Sequence, residues 1–176
     1  MVEPLATLSG RVRLMTEADL ALVLIWRNHE DIRRYMFNTR TVSGEEHRRW
    51  FELAVADPAR ELLIFELDGQ PSGFAHFSCG VHPRVADWGF YAAPGAPKGA
   101  GRALGHAALG HAFDRVALHK VCGQVIGSNA RSAHLHLALG FEQEGLLREH
   151  HFDGKHFLDV LCFGLLAHKW RAREQE

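Results

Sequence analysis

The chain has 176 residues, 47% of them hydrophobic and 23% charged, with a formal net charge of -1 at pH 7. This fits one compact domain over residues 1–176 with a sizeable core, and the near-neutral balance argues against a general nucleic-acid binder, which needs a basic face. No apolar stretch reaches membrane-spanning length and residues 1–10 lack the pattern of a secretory leader, so a cytoplasmic location without a membrane partner is expected.

Arg11 to Met15 alternate as a first strand. Thr16-Glu17-Ala18-Asp19 has the pattern of a capping box and opens a helix through Leu20, Leu22, Val23 and Leu24 that ends near Trp26-Arg27-Asn28. Residues 29–42 carry Ile32, Tyr35, Met36 and Phe37 among charges, without a clean period. Ser43-Gly44-Glu45-Glu46 is a second capping box, and the helix behind it turns Trp50, Phe51 and Ala54 inward. Leu62 to Leu67 and Ser72 to Ser78 read as strands joined through Asp68-Gly69, which is hairpin chemistry. The next strand is Ala86 to Ala92. Gly89 inside it marks a bulge or a close backbone approach by a ligand.

Further on, Leu109, Ala112, Phe113 and Val116 keep helical spacing, and Lys120 to Ile126 returns as a strand rich in valine and isoleucine. A strand, loop, helix and strand in that order favour a parallel pair. Asn129 can cap a helix containing Leu135, Ala138 and Leu139, which Gly140-Phe141 stops. Two last strands, Gly145 to Phe152 and Lys155 to Leu166, meet at Asp153-Gly154. The basic run Lys169 to Arg173 reads as a solvated helix end.

The chemistry centres on Pro97-Lys98-Gly99-Ala100-Gly101-Arg102-Ala103-Leu104-Gly105. Two glycines let the backbone turn with several N–H groups pointing one way, the following helix adds the positive end of its dipole, and Lys98 and Arg102 flank the turn. Such a turn suits a phosphate, although glycines before a helix also serve as caps and close packing contacts. A dinucleotide fingerprint is excluded. It needs a strand running straight into the first glycine and an acidic residue about 20 positions on. Here Pro94, Gly95 and Pro97 intervene, and the next strand ends at Val125-Ile126-Gly127-Ser128 without a carboxylate.

From Ala86 onward the pattern resembles the GCN5-related N-acetyltransferase (GNAT) superfamily. Trp88-Gly89-Phe90-Tyr91, Lys98-Gly99-Ala100-Gly101-Arg102, and Asn129-Ala130-Arg131-Ser132 with Leu135-His136 and Leu139-Gly140-Phe141 carry the resemblance over about half the chain. The resemblance implies an α/β (α+β) domain with a central mixed, mostly antiparallel sheet of about seven strands, helices on both faces and a bulged fourth strand. It also implies acetyl-CoA as donor. The pyrophosphate would lie on the amides of Gly99, Ala100, Gly101, Arg102 and Ala103 beside Lys98, the pantetheine arm against Phe90 and Tyr91, and Asn129 and Ser132 opposite. Ala96 departs from the family, which commonly has glutamine or arginine there.

Trp26-Arg27-Asn28, Tyr35-Met36-Phe37, Glu45-Glu46-His47 and Trp50-Phe51-Glu52 resemble the aminosugar N-acetyltransferases of pseudaminic acid biosynthesis. The closing segments Leu147 to His151, Asp153 to Lys155 and Asp159-Val160 fit that group and equally the ribosomal-protein N-terminal acetyltransferases. The first resemblance implies a UDP-linked 4-amino-4,6-dideoxy sugar as acceptor, contacted by Arg27 and Asn28. Met36, Phe37, Trp50 and Trp88 would form an apolar platform, or else belong to the core. A homodimer is one allowed assembly.

Acetyl transfer needs a neutral amine, a donor for the developing oxyanion and a proton for the leaving thiolate. A backbone N–H near Phe90 or Tyr91 would polarise the carbonyl. In the family a tyrosine commonly serves as acid at the position held here by His136; an imidazole can take that role or simply line the cleft. Some relatives keep a basic glutamate where Gln124 stands, and Gln124 can only position water; His76 is the candidate base or a sugar contact. The alternatives are a ribosomal-protein or aminoglycoside acetyltransferase and a non-catalytic acyl-CoA-binding module. Cys79, Cys122 and Cys162 read as buried free thiols, and the 13 histidines show no recognised metal-ligand spacing, so no metal is expected.

Overall fold

The computed structural model describes residues 8 and 10–175; residues 1–7, on which most of the leader reading rests, lie outside the described residues, as do residues 9 and 176. Seven strands are found among the described residues: β1 (Arg11–Leu14), β2 (Arg60–Leu67), β3 (Gln70–Cys79), β4 (Val85–Ala92), β5 (Lys120–Ile126), β6 (Glu142–Phe152) and β7 (Phe157–Leu166). They form one sheet in the order β1-β2-β3-β4-β5-β7-β6, antiparallel throughout except for the parallel pair β4 and β5. Helices α1 (Leu20–Asn28), α2 (Glu30–Arg33), α3 (Gly44–Val55), α4 (Ala100–Gly110), α5 (Ala130–Ala138) and α6 (Ala167–Arg173) complete it.

Period-two alternation along the strands divides the core in two. Leu63, Phe65, Ala75, Phe77 and Val121 pack with Leu104 and Leu109 of α4 and Trp170 of α6. Leu62, Ile64 and Phe74 on the opposite face pack with Val23 and Trp26 of α1 and Phe51 and Ala54 of α3. Trp170 makes the C-terminal helix more than a solvated end.

The turn signals place the joints correctly. Asp68 (φ 49°) and Gly69 (φ 76°) both take left-handed conformations, the geometry that lets a two-residue hairpin follow the strand twist. Ser43 accepts the Glu46 N–H at 3.2 Å while the Glu46 carboxylate accepts the Ser43 N–H at 2.8 Å, closing the capping box of α3. Residues 29–42 are a single helical turn, α2, followed by irregular chain that side chains hold in place. The Asn28 amide exchanges two 2.8 Å bonds with the Val42 backbone, Arg27 Nη2 donates to the Asn38 carbonyl at 2.7 Å, and Arg33 Nη1 to that of Thr39 at 3.1 Å. Beneath α1, Arg13 bonds the buried carboxylates of Glu66 and Asp19 at 2.7–2.8 Å and ties β1 to β2 and the helix start.

The irregularity expected in β4 lies on one edge. Its register with β3 runs unbroken from Gly73–Ala92 to Cys79–Ala86, whereas its pairing with β5 stops after Val85–Lys120, Ala86–Val121 and Asp87–Cys122. From Trp88 onward the two parallel strands part. The three thiols are free and half-buried, not fully buried as expected. Among the described residues no helix is long and apolar enough to cross a membrane.

Candidate active site

The parting of β4 from β5 opens a cleft of about 1170 Å³ that reaches from α4 and α5 to the segment between α1 and α3. Antiparallel pairing turns alternate N–H groups of β4 toward β3 and the rest away. With β5 gone after Asp87, one of each neighbouring pair among Trp88 to Ala92, hence one of Phe90 and Tyr91, points its N–H into the cleft.

At one end lies the glycine turn. Gly99, at φ 97°, sits in the left-handed region as the N-cap of α4. The N–H groups of Ala100, Arg102 and Ala103 bond to the carbonyls of Pro97 and Gly99 at 3.0 Å, so the expected five-amide cradle is narrower: Gly99 and Gly101 keep N–H groups without an acceptor among the described residues. Gly101 lines the cleft, and a side chain there would meet Leu135 of α5. Lys98 and Arg102 stand exposed beside it. Across the cleft, Asn129 Oδ1 accepts the Ser132 N–H at 3.1 Å and caps α5, which leaves the Asn129 amide N–H₂ and the Ser132 hydroxyl for a ligand. A phosphate-bearing donor fits this end.

The other end is apolar and cationic. Met36, Phe37, Trp50 and Tyr91 line it, with Trp50 stacked on His47 at 5.1 Å and Phe37 edge-on to His151 at 5.4 Å. Tyr91 and Phe90 point to opposite faces of β4. Phe90 lies 4.3 Å from Trp88 on the α5 side, whereas Tyr91 packs 5.5 Å from Phe74 in the core beneath α1 and α3 and belongs with the acceptor end. Arg27 stands in this end with Nη1 buried and unpartnered among the described residues. The lining carboxylates Asp31 and Glu46 are paired with Arg34 and Arg40, and the Arg40 bond holds Glu46 down to about 2.

Two expected acceptor contacts fall elsewhere. Asn28 does not line the cleft, because its amide is committed to Val42. Trp88 is not part of the platform: it is 6% exposed and stacked between Phe77 and Phe141 on the opposite face, so only its edge meets the cleft.

His76 and Gln124 do reach the cleft. The His76 ring crosses β4 at Gly89, where a Cβ would stand 2.5 Å from Nε2; the glycine admits a histidine, not a bulge. Burial, reinforced by Arg60, lowers the His76 pKa to about 4, so the ring is neutral and able to accept a proton. The acid expected at His136 is not supported. Its Nδ1 lies 2.8 Å from the Ser132 carbonyl, which can only accept, and its Nε2 lies 3.2 Å from the Trp88 indole N–H, which can only donate. The ring is therefore the Nδ1–H tautomer, with that proton committed to the Ser132 carbonyl and none on Nε2 to give, and burial lowers its pKa.

Sequence reasoning missed Asp87, a cleft carboxylate at the last β4–β5 pair whose signal was an acid in the apolar run Val85-Ala86-Asp87-Trp88. It also missed Arg34 and Arg40, in the segment without periodicity, and His47, near the start of α3.

The acetyltransferase (GNAT) domain family matches residues 11–142, three quarters of the chain, and the chain belongs to that family: it is an acetyl-CoA-dependent N-acetyltransferase. Acetyltransferase PseH of Campylobacter jejuni is 25% identical over 122 residues, covering 69% of this chain and 76% of the relative. Spermidine N(1)-acetyltransferase of Vibrio cholerae is 27% identical over 168 residues, covering 93% and 96%. Among solved structures, the Vibrio cholerae spermidine N-acetyltransferase in complex with CoA and spermine matches with a TM-score of 0.85 at 26% identity, over 93% of this chain and 98% of that one. Ribosomal-protein-alanine N-acetyltransferase from Brucella melitensis matches at 0.75 and 27% identity, over 88% and 98%.

Proposed function

We propose that the protein acetylates the 4-amino group of a UDP-linked 4-amino-4,6-dideoxy sugar, by direct transfer from acetyl-CoA in a ternary complex. Arg27 carries this reading. A guanidinium N–H buried without an acceptor is expensive, so the Arg27 side chain gains by turning it to an oxygen in the cleft, and the diphosphate of a nucleotide sugar supplies such oxygens beside Met36, Phe37, Trp50 and Tyr91, which suit a uracil ring and a deoxy face.

The donor's pyrophosphate is assigned to the Gly99 and Gly101 amides with Lys98 and Arg102, at the start of α4 where Ala100 and Ala103 close the first turn. Its arm lies along the open edge of β4, facing Asn129 and Ser132. An N–H at Phe90 or Tyr91 donates to the carbonyl oxygen as it gains charge. His76 accepts the amine's proton as the C–N bond forms and the C–S bond breaks, releasing CoA as thiolate; Gln124 holds water beside it.

The match to spermidine N(1)-acetyltransferase favours a polyamine as the competing acceptor. A polycation here would meet Arg27, while Asp31 and Glu46 are already paired with Arg34 and Arg40, and only Asp87, among the described lining residues, is a carboxylate without an ion pair. Arg27→Gln tests the reading: the KM for the UDP-aminosugar should rise about tenfold or more while that for acetyl-CoA stays near wild type. An unchanged acceptor KM contradicts it.

A further inference from the structure

The Trp88–His136 hydrogen bond joins β4 to α5 across 48 residues of chain and is buried. It stands where the sheet opens. The last β4–β5 pair is Asp87–Cys122, and the next residues along each strand are Trp88 and Gly123. A Cβ on Gly123 would lie 2.6 Å from His136 Nε2 and 2.9 Å from Trp88 Nε1, so β5 carries glycine where the bonded pair leans over it. Aromatic rings fix both partners: Trp88 stacks on Phe141 at 5.2 Å, and His136 stacks on Phe163 of β7 at 5.1 Å.

We propose that Trp88, His136 and Gly123 form a lock that sets how far β4 and β5 part, and that Trp88 and His136 are positioning residues which exchange no proton during turnover. The lock holds the open edge of β4 and the Asn129–Ser132 end of α5 at a fixed separation. Both edges border the space assigned to the donor arm, so the inference rests on that placement. It is independent of which amine is acetylated.

His136→Gln separates positioning from proton transfer, because Gln Oε1 can take the place of Nε2 and accept the Trp88 N–H yet has no proton to lose near neutral pH. The variant should keep kcat within about threefold, with an unchanged pH profile. His136→Phe and Trp88→Phe should each lose about tenfold or more, and the double variant no more than the worse single one, since both remove one bond. A loss in His136→Gln equal to that in His136→Phe, or a wild-type kcat in Trp88→Phe, overturns the proposal. Nitrogen NMR on the wild-type protein with CoA bound gives an answer independent of the variants' folding: His136 should be the Nδ1–H tautomer at neutral pH, and a protonated Nε2 there overturns the lock. A misplaced donor arm shows separately, as unchanged CoA affinity in Gly101→Val.

Discussion

His76 lies across Gly89 so closely that the smallest side chain at that position would collide with its ring, at 2.5 Å from Nε2. The two residues oppose each other in the β3–β4 ladder, so the geometry belongs to the sheet and not to a loop. Gly89→Ala should therefore displace the imidazole without unfolding the strand. We expect kcat to fall about 10²-fold, as for His76→Asn, with the KM for acetyl-CoA changed little. Steady-state kinetics on the two variants checks this; wild-type kcat in either removes His76 from the reaction.

The pH dependence follows from the same burial. A base must be neutral to accept a proton, and desolvation lowers the His76 pKa from the ordinary 6.5 to about 4. The ring is neutral above that value and protonated below it, so the enzyme's own acid limb in kcat should lie near pH 4 and not near 6.5. A pH–rate series extended to pH 4, with protein stability followed in parallel, reads it.

Donor binding should respond to the turn before α4. Gly99→Val forces a β-branched residue to φ 97°, and Gly101→Val pushes a branch toward Leu135 in the cleft. Both should weaken CoA binding by about tenfold or more in calorimetry. Gly101→Ala, whose Cβ makes only ordinary contact at 3.6 Å, should bind nearly as wild type.

Asn28 acts on the acceptor at one remove. Asn28→Ala frees the Val42 backbone and with it the chain that carries Met36 and Phe37. The acceptor KM should rise several-fold and that for acetyl-CoA should not. Equal rises in both would make the effect one of general stability.

Acid stability should depend on Arg13. Its bonds hold the Asp19 and Glu66 carboxyls below their ordinary values in the folded protein, with Thr16 helping Asp19 and Arg11 helping Glu66. A depressed folded pKa contributes stability that is present above the unfolded value of about 4 and is lost as pH falls through the folded one. Arg13→Met should lower the Tm by several degrees at pH 7 and flatten its decline below pH 4, measured by thermal melts across that range.

The elements were legible because their signals are local. Asp68-Gly69, Asp153-Gly154 and the Ser43–Glu46 box fix turns and a helix start by backbone conformation and short-range bonds, and Lys120–Ile126 shows the β-branched composition of a buried strand. Residues 29–42 were not legible, because Asn28, Arg27 and Arg33 shape them through bonds to backbone carbonyls and amides up to 14 residues away. Gly89 read as a bulge or a close approach by a ligand because one sequence cannot show that His76 occupies the space above it. Motif position placed His136 on the right helix, but its proton inventory depends on Trp88, far away in the chain, and on which face of β4 that indole takes. The platform failed at Trp88 for the same reason: alternation along the strand sends it away from Tyr91.

The central claim concerns the acceptor, and one assay tests it most directly: CoA release from saturating acetyl-CoA, with a UDP-linked 4-amino-4,6-dideoxy sugar and spermidine compared at equal concentration. With Arg27 Nη1 lacking a partner among the described residues and Asp31 and Glu46 held by arginines, kcat/KM for the nucleotide sugar should exceed that for spermidine by about 100-fold or more, which corresponds to roughly 2.7 kcal/mol of transition-state discrimination. Faster turnover of spermidine would contradict the account.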